Sequence, residues 1–176
     1  ITIPILHRGI ITVGKIAEYL YNYTANLPIK FIDRNGNPYL ERYFVKQIGN
    51  YTVMLHRFVK PDVYEDVHNH PSNMLSILLT GYYIEEVITN LDINVGWFSK
   101  KRLLSAPSIN IITRKKFHRI ADARKETWTL VIHGRRKKYT WGLLTKTDNG
   151  VLYSNKYAMT GDVPWWETCS LGKHSQ

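Results

Sequence analysis

The chain has 176 residues, enough for one domain with a single sizeable core, since domains commonly run about 100–200 residues. Its apolar fraction of 44% is ordinary for a globular protein, and no run approaches the roughly 18 consecutive apolar residues of a membrane-spanning helix, so no membrane partner is expected. The formal net charge of +10 points instead to anionic partners: a small anionic substrate steered toward a pocket or, through short basic clusters, a nucleic acid.

In chain order, the opening residues lack the basic region, apolar stretch and small-residue cleavage site of a secretory signal. Cys169 is the single cysteine, so no intramolecular disulfide can form, and a reducing, cytoplasmic setting is expected. Ile16, Tyr19, Leu20 and Tyr23 fall at helical spacing, which predicts a short helix over 15–23 with Thr12 as its N-cap, inside a helical extension spanning 1–27. Asn35-Gly36 marks a hairpin between apolar runs at 29–33 and 39–45. Strands are then expected over 51–59, 67–79, 82–89, 110–113, 126–133 and 139–145, punctuated by turns at Gly49-Asn50, Lys60-Pro61-Asp62, Thr80-Gly81, Asn90-Leu91-Asp92, Ala106-Pro107 and Gly134. With no repeat or linker composition, the reading is one all-β domain over 1–176, with a barrel over 28–145 and a C-terminal flap over 146–176. Many short strands imply a sandwich or a barrel, and a ligand triad, which needs strands curved around a cavity, favours the barrel or jelly roll. Trp128 and Trp141 are expected to pack, while Trp165-Trp166 closes the barrel or forms a dimer contact.

The histidines carry the chemistry. In His68-Asn69-His70-Pro71 the two imidazoles are spaced by one residue, which in a strand puts both on one face where they can grip one ion, and His118 is the expected third ligand. Three imidazoles can hold iron for oxygen chemistry, zinc for hydrolysis, or nickel or manganese for isomerisation. The alternative is a metal-free pocket. His56 is expected to pack or hydrogen-bond in the sheet, and His7, His133 and His174 to be structural or surface residues. Asp66 shares strand parity with His68 and His70, and can approach the metal, orient an imidazole or face water. One of Glu85 and Glu86 must face inward, and Glu86 is taken as the candidate catalytic carboxylate. Arg57 and Arg119 are the candidate clamps for a substrate carboxylate or phosphate, against the alternative of ordinary ion pairing. The basic clusters are Lys100-Lys101-Arg102, Arg114-Lys115-Lys116 and Arg135-Arg136-Lys137-Lys138.

These motifs resemble a known family. His68-x-His70 before an apolar strand and Gly81, answered by His118, looks like the two motifs of the cupin superfamily. Small bacterial and phage cupins are more similar still. They share an HDHPW-like first motif, an HR pair, a WTL-(V/I)-x-G strand and a WG pair, which stand here as His68-Asn69-His70-Pro71, His118-Arg119, Trp128-Thr129-Leu130-Val131-Ile132-His133-Gly134 and Trp141-Gly142. Asn37-Pro38-Tyr39-Leu40-Glu41-Arg42-Tyr43 and Leu55-His56-Arg57-Phe58 also look like that group, so the resemblance spans roughly 33–145. It implies a double-stranded β-helix and a homodimer. Two departures stand out: Met74 and Leu75 occupy the positions of the usual first-motif glutamate, and Thr113, Lys115 and Lys116 replace Pro-x-Gly before His118. Losing the glutamate leaves a three-histidine ligand set resembling that of the thiol dioxygenases. The expectation is a metal-dependent enzyme, an iron(II) oxygenase of a small or nucleotide-linked anionic substrate being favoured, with zinc, nickel or manganese as alternative metals. The competing expectation is a non-catalytic cupin that binds a sugar, nucleotide or nucleic acid.

Overall fold

The computed structural model describes residues 5–34, 36–61, 65–135, 141–156 and 164–172. Its elements run α1 (Ile5–Thr24), β1 (Ile29–Arg34), β2 (Asn37–Ile48), β3 (Tyr51–Phe58), β4 (Val67–His68), β5 (Met74–Thr80) and β6 (Tyr82–Asp92). They continue with β7 (Gly96–Ser105), β8 (Ser108–Ile112), β9 (His118–Ala123), β10 (Thr127–His133), β11 (Trp141–Thr147), β12 (Gly150–Lys156) and α2 (Trp165–Thr168). One sheet has the order β1-β2-β3-β10-β5-β8 and the other β12-β11-β4-β9-β6-β7, with every pairing antiparallel. From β3 onward the chain passes repeatedly from one sheet to the other, so partners distant in sequence pair in space. That is the jelly roll, the double-stranded β-helix that the cupin resemblance implies, preceded by a helix.

Alternation along the strands sorts side chains to two faces. Leu40, Phe58, Leu78, Tyr83, Leu104 and Ala123, drawn from both sheets, fill the space between them. The intervening parity places Tyr43, Leu55 and Trp128 on the outer face of the first sheet, where they join Ile29 and Leu20 of α1. The helix is longer than the 15–23 expected, so Thr12 lies inside it and does not cap it. Its packed face is also rotated: Ile16, Tyr19 and Tyr23 are exposed, whereas Ala17, Leu20, Tyr21 and Thr24, at i, i+3, i+4 and i+7, meet the sheet or are buried. Tyr19 and Tyr23 stack on each other outside, with ring centroids 6.2 Å apart.

Other strand boundaries differ from the sequence reading for physical reasons. The stretch 67–79 is two strands in opposite sheets, because the chain leaves β4 through Asn69-His70-Pro71-Ser72-Asn73 to cross the barrel, and Pro71 has no N–H for a ladder. The edge strand β7 was not expected, since its middle is exposed and charged and shows no alternation. Short β9 and β12 were likewise not expected, and β12 places a paired strand within the range read as a flap. The expected strand over 139–145 begins at Trp141, residues 139 and 140 lying outside the described ones, as do Asn35 and Asp62 of two expected turns. The segment 164–172 borders the first sheet: Trp166 stacks on Phe44 at 4.5 Å, and Gly172 N donates to Leu27 O at 2.8 Å. Among the described residues, no helix is long and apolar enough to cross a membrane.

The turn between β5 and β6 yields a stability prediction. Gly81 has φ +72, and a Cβ there would lie 2.2 Å from Thr127 Oγ1 and 2.9 Å from Thr127 Cα. Thr127 Oγ1 itself accepts from Tyr82 N and donates in the tight turn, so it has little room to yield. Gly81→Ala is therefore expected to cost about 1–3 kcal/mol in urea unfolding, against less for Gly49→Ala, which shares the left-handed backbone but meets nothing within 4 Å.

Candidate metal centre

Two of the three histidines are cross-strand neighbours. His68 closes β4 and lies directly opposite His118, which opens β9, in the middle of the second sheet. On its other side β4 pairs with β11, His68 facing Leu143. His70 lies just beyond the strand, two residues after His68, and joins the same donor group. Asn69 extends the β4–β11 pairing by one step: its N–H donates to Gly142 O at 3.2 Å and its Oδ1 accepts from Gly142 N at 2.7 Å, which holds the chain that carries His70 to its partners. Gly142 has to be small here, because a Cβ would come within 2.2 Å of the Tyr153 ring.

The three rings stand 4.9–5.1 Å apart, and their candidate donor nitrogens all lie within 4.8 Å of one another. His70 Nε2 and His118 Nε2 face each other at 2.8 Å. Two imidazole nitrogens bound to one cation at about 2.0–2.1 Å and roughly at right angles would be about 2.9 Å apart, so the donor set fits a divalent metal. Protonation supports the same fit. Burial first, then the nearby His68, His118, His133 and Arg42, holds His70 well below the ordinary imidazole range, which keeps it neutral with a lone pair to donate.

Glu85 completes the arrangement. Its fully buried carboxylate accepts from His118 Nδ1 at 2.5 Å, which fixes the tautomer and leaves Nε2 as a lone pair facing His70. Lys116 Nζ donates to Glu85 at 3.0 and 3.2 Å, and Arg102 Nε at 2.7 Å. Burial pushes the Glu85 pKa up, but the hydrogen bonds and charges of His118 and Lys116 outweigh it and hold the group at about 2. The network continues from Arg102 to Asn110 Oδ1, and Asn110 Nδ2 donates to the Tyr83 hydroxyl at 3.0 Å.

Glu86, taken from the sequence as the catalytic carboxylate, points the other way. It accepts from Ser99 at 2.6 Å and from Arg119 at 2.8 Å. The cause is strand parity: Glu85 shares its face of β6 with Tyr83 of the inter-sheet cluster and with Val87, the register partner of His118, whereas Glu86 pairs with Arg119 on the other face. Arg119, next to His118 on a strand, is accordingly on the opposite face with Glu86. Arg57 is on the outer face under α1, where it bonds Glu41 at 2.9 Å and Glu126 at 2.5 and 2.9 Å and lies over the rings of Tyr21 and Trp128. Neither arginine is among the three histidines.

The barrel interior holds residues that the sequence did not single out. Arg42 Nε donates to His56 Nε2 at 3.2 Å, and the ring of His56 lies 6.3 Å from that of His133. Both histidines are buried. Burial, then Arg42 and His133, keeps His56 neutral. The signal for Arg42 was present in its parity with Leu40, but without known neighbours an arginine in a strand reads as solvated. Asp66 is half-buried ahead of β4 and outside the donor group, and the Trp141 ring lies edge-on to His68 at 6.5 Å. Of the basic clusters, Lys100 and Lys101 are exposed on β7, whereas Arg102 and Lys116 reach Glu85. Residues 136–138 and His174 lie outside the described residues, and the side chain of His7 is not described.

Fold and site define a cupin-type double-stranded β-helix with a three-histidine donor set between its sheets. No family model matches the chain, and no curated protein does. Among solved structures it is similar to KdgF from Halomonas sp., at 13% identity and TM-score 0.45, over 61% of this chain and 94% of that one. It is similar also to the iron(II) form of HppE, at 15% identity and TM-score 0.47, over 61% of this chain and 56% of that one. A third is the hydroxypropylphosphonic acid epoxidase from S. wedmorenis in complex with fosfomycin, at 13% identity and TM-score 0.43, over 61% of this chain and 55% of that one. This chain thus matches little more than half the length of the last two, and the fold is read here from its own strand pairing.

Proposed function

We propose that the protein is a metal-dependent enzyme in which His68, His70 and His118 hold one divalent cation, iron(II) being favoured, and that it acts on a small anionic substrate. The observation that carries this reading is the convergence of three imidazole nitrogens within 4.8 Å, two of them 2.8 Å apart, around a point between the sheets. Bound there, iron would supply oxygen chemistry, and zinc, nickel or manganese a Lewis acid. The chain's own residues do the rest. Glu85 keeps the His118 proton on Nδ1, and its anchoring by Lys116 and Arg102 stops the ring from turning. Neutral imidazoles leave a bound cation's charge uncompensated, which favours an anionic substrate as a further ligand.

The test is metal content of freshly purified protein by mass spectrometry, beside a His68→Ala/His70→Ala variant. About one equivalent in the wild type and background in the double variant is the expected result. Equal metal in both would remove the triad, and iron against zinc, nickel or manganese decides between oxygen-consuming and hydrolytic or isomerising reactions.

A further inference from the structure

We propose that Trp141 forms an aromatic wall beside the three histidines, so that the substrate presents a planar ring next to the anionic group that meets the metal. The inference deepens the metal-enzyme reading and rests on it for the position of that anionic group.

The placement of Trp141 follows from the register of β11. Leu143 lies directly opposite His68 in the β4–β11 pairing, so their side chains share a face, and Trp141, two residues earlier on the same strand, shares it too. The indole reaches His68 itself, with ring centroids 6.5 Å apart and planes nearly perpendicular at 79°. The backbone next to it is held from both sides. Gly142 N donates to Asn69 Oδ1 at 2.7 Å and Gly142 O accepts from Asn69 N at 3.2 Å, while β12 pairs along the other side of β11. The two bonds that fix the segment leading to His70 therefore also fix the strand that carries the indole, which sets ring and donors in one rigid frame.

Trp141 is not a core residue. Among the described residues the apolar clusters are built around Leu78 and Tyr83, Leu20 and Trp128, and Met74 and Val131, and Trp141 joins none of them. It is half-buried where Trp128 is fully buried, so part of its surface is open. Ligand pockets combine a few placed polar donors with aromatic walls, and a large flat side chain beside three imidazoles is that combination. The indole face matches another planar ring, whose stacking adds to the effect of the apolar area it covers. Neutral imidazoles around a cation select an anionic group, and the indole selects what that group is attached to. A chelating acid borne on an aromatic or conjugated ring meets both demands.

The experiment is calorimetric titration of the zinc-loaded protein with three chelators that share one head group: benzohydroxamate, cyclohexanecarbohydroxamate and acetohydroxamate. Metal content and circular dichroism are measured on the same preparations. Wild type is compared with Trp141→Leu, which keeps apolar volume without a flat face, and with Trp141→Phe, which keeps a flat face. Trp97→Leu is the control, on the β6–β7 hairpin, where the Trp97 ring meets Lys146. Wild type is expected to bind benzohydroxamate most tightly. Trp141→Leu is expected to lose about tenfold in affinity for benzohydroxamate with acetohydroxamate unchanged, and Trp141→Phe and Trp97→Leu to keep the preference. An equal change for all three chelators in Trp141→Leu would leave the indole a shield over the metal, and a cyclohexane ring bound as tightly as the benzene ring would leave it a plain apolar surface. Either result overturns the wall, as does the same loss in Trp97→Leu. Should Trp141→Leu fail to fold, wild type and Trp141→Phe decide: no preference for benzohydroxamate in either overturns the proposal. The two readings fail distinguishably. A protein that takes up zinc and shows no ring preference keeps the metal centre and loses the wall, whereas one that takes up no zinc loses both.

Discussion

His118→Ala is expected to reduce bound metal from about one equivalent to background, with the protein still folded. His118 is the most buried of the three donors and the one held by Glu85, so its loss removes the ligand on which that positioning contact acts. Glu85→Gln separates those two roles. Its amide oxygen can still accept from His118 Nδ1, but the negative charge that anchors Lys116 and Arg102 is gone, and metal affinity is expected to fall about 10–100-fold without vanishing. Competition with a metal-sensitive dye measures both. Unchanged affinity in Glu85→Gln would mean that the carboxylate only fills space, and retention of metal by His118→Ala would remove the third ligand.

Trp128→Ala is expected to produce the largest loss of stability, about 3–5 kcal/mol in guanidinium unfolding. Trp128 is fully buried at the joint between the first sheet and α1, stacked against Tyr43 at 5.9 Å and packed with Leu20 and Leu55. The Arg57 guanidinium lies over its ring and ties the same joint to Glu41 and Glu126. A cavity there is a large fraction of a typical total stability of about 5–15 kcal/mol. Because Thr129 and not Trp128 faces the barrel, the folded fraction is expected to bind metal as the wild type does. A parallel loss of metal affinity at low denaturant would show that the helix joint and the metal site are coupled.

The β-rich class, the hairpin at Gly36 and the three histidines were legible because each is written locally: short alternating runs, a turn residue with its left-handed backbone, and imidazoles at characteristic spacing. The helix was legible as an element but not in its packed face, since Ile16, Tyr19 and Tyr23 match helical spacing as well as Ala17, Tyr21 and Thr24 do. Leu20 is common to both stripes, and only the sheet beneath decides between them. The charged strand β7 carries no alternation because an exposed edge imposes none.

What the sequence by itself determined is therefore the period of each element and the kinds of donor available. Tertiary structure decided which face each donor occupies. The parity that Glu85 shares with Tyr83 sends Glu85, not Glu86, to His118; the hydrogen bonds of Asn69 with Gly142 carry the chain past β4 and bring His70 to its partners; and pairing of β2 with β3 puts Arg42 beside His56 inside the barrel while Arg57 goes outside. The physical reason is that side-chain direction alternates with every residue, so one bulge or one crossing between sheets inverts the assignment, and the register that sets it is made by partners far apart in the chain.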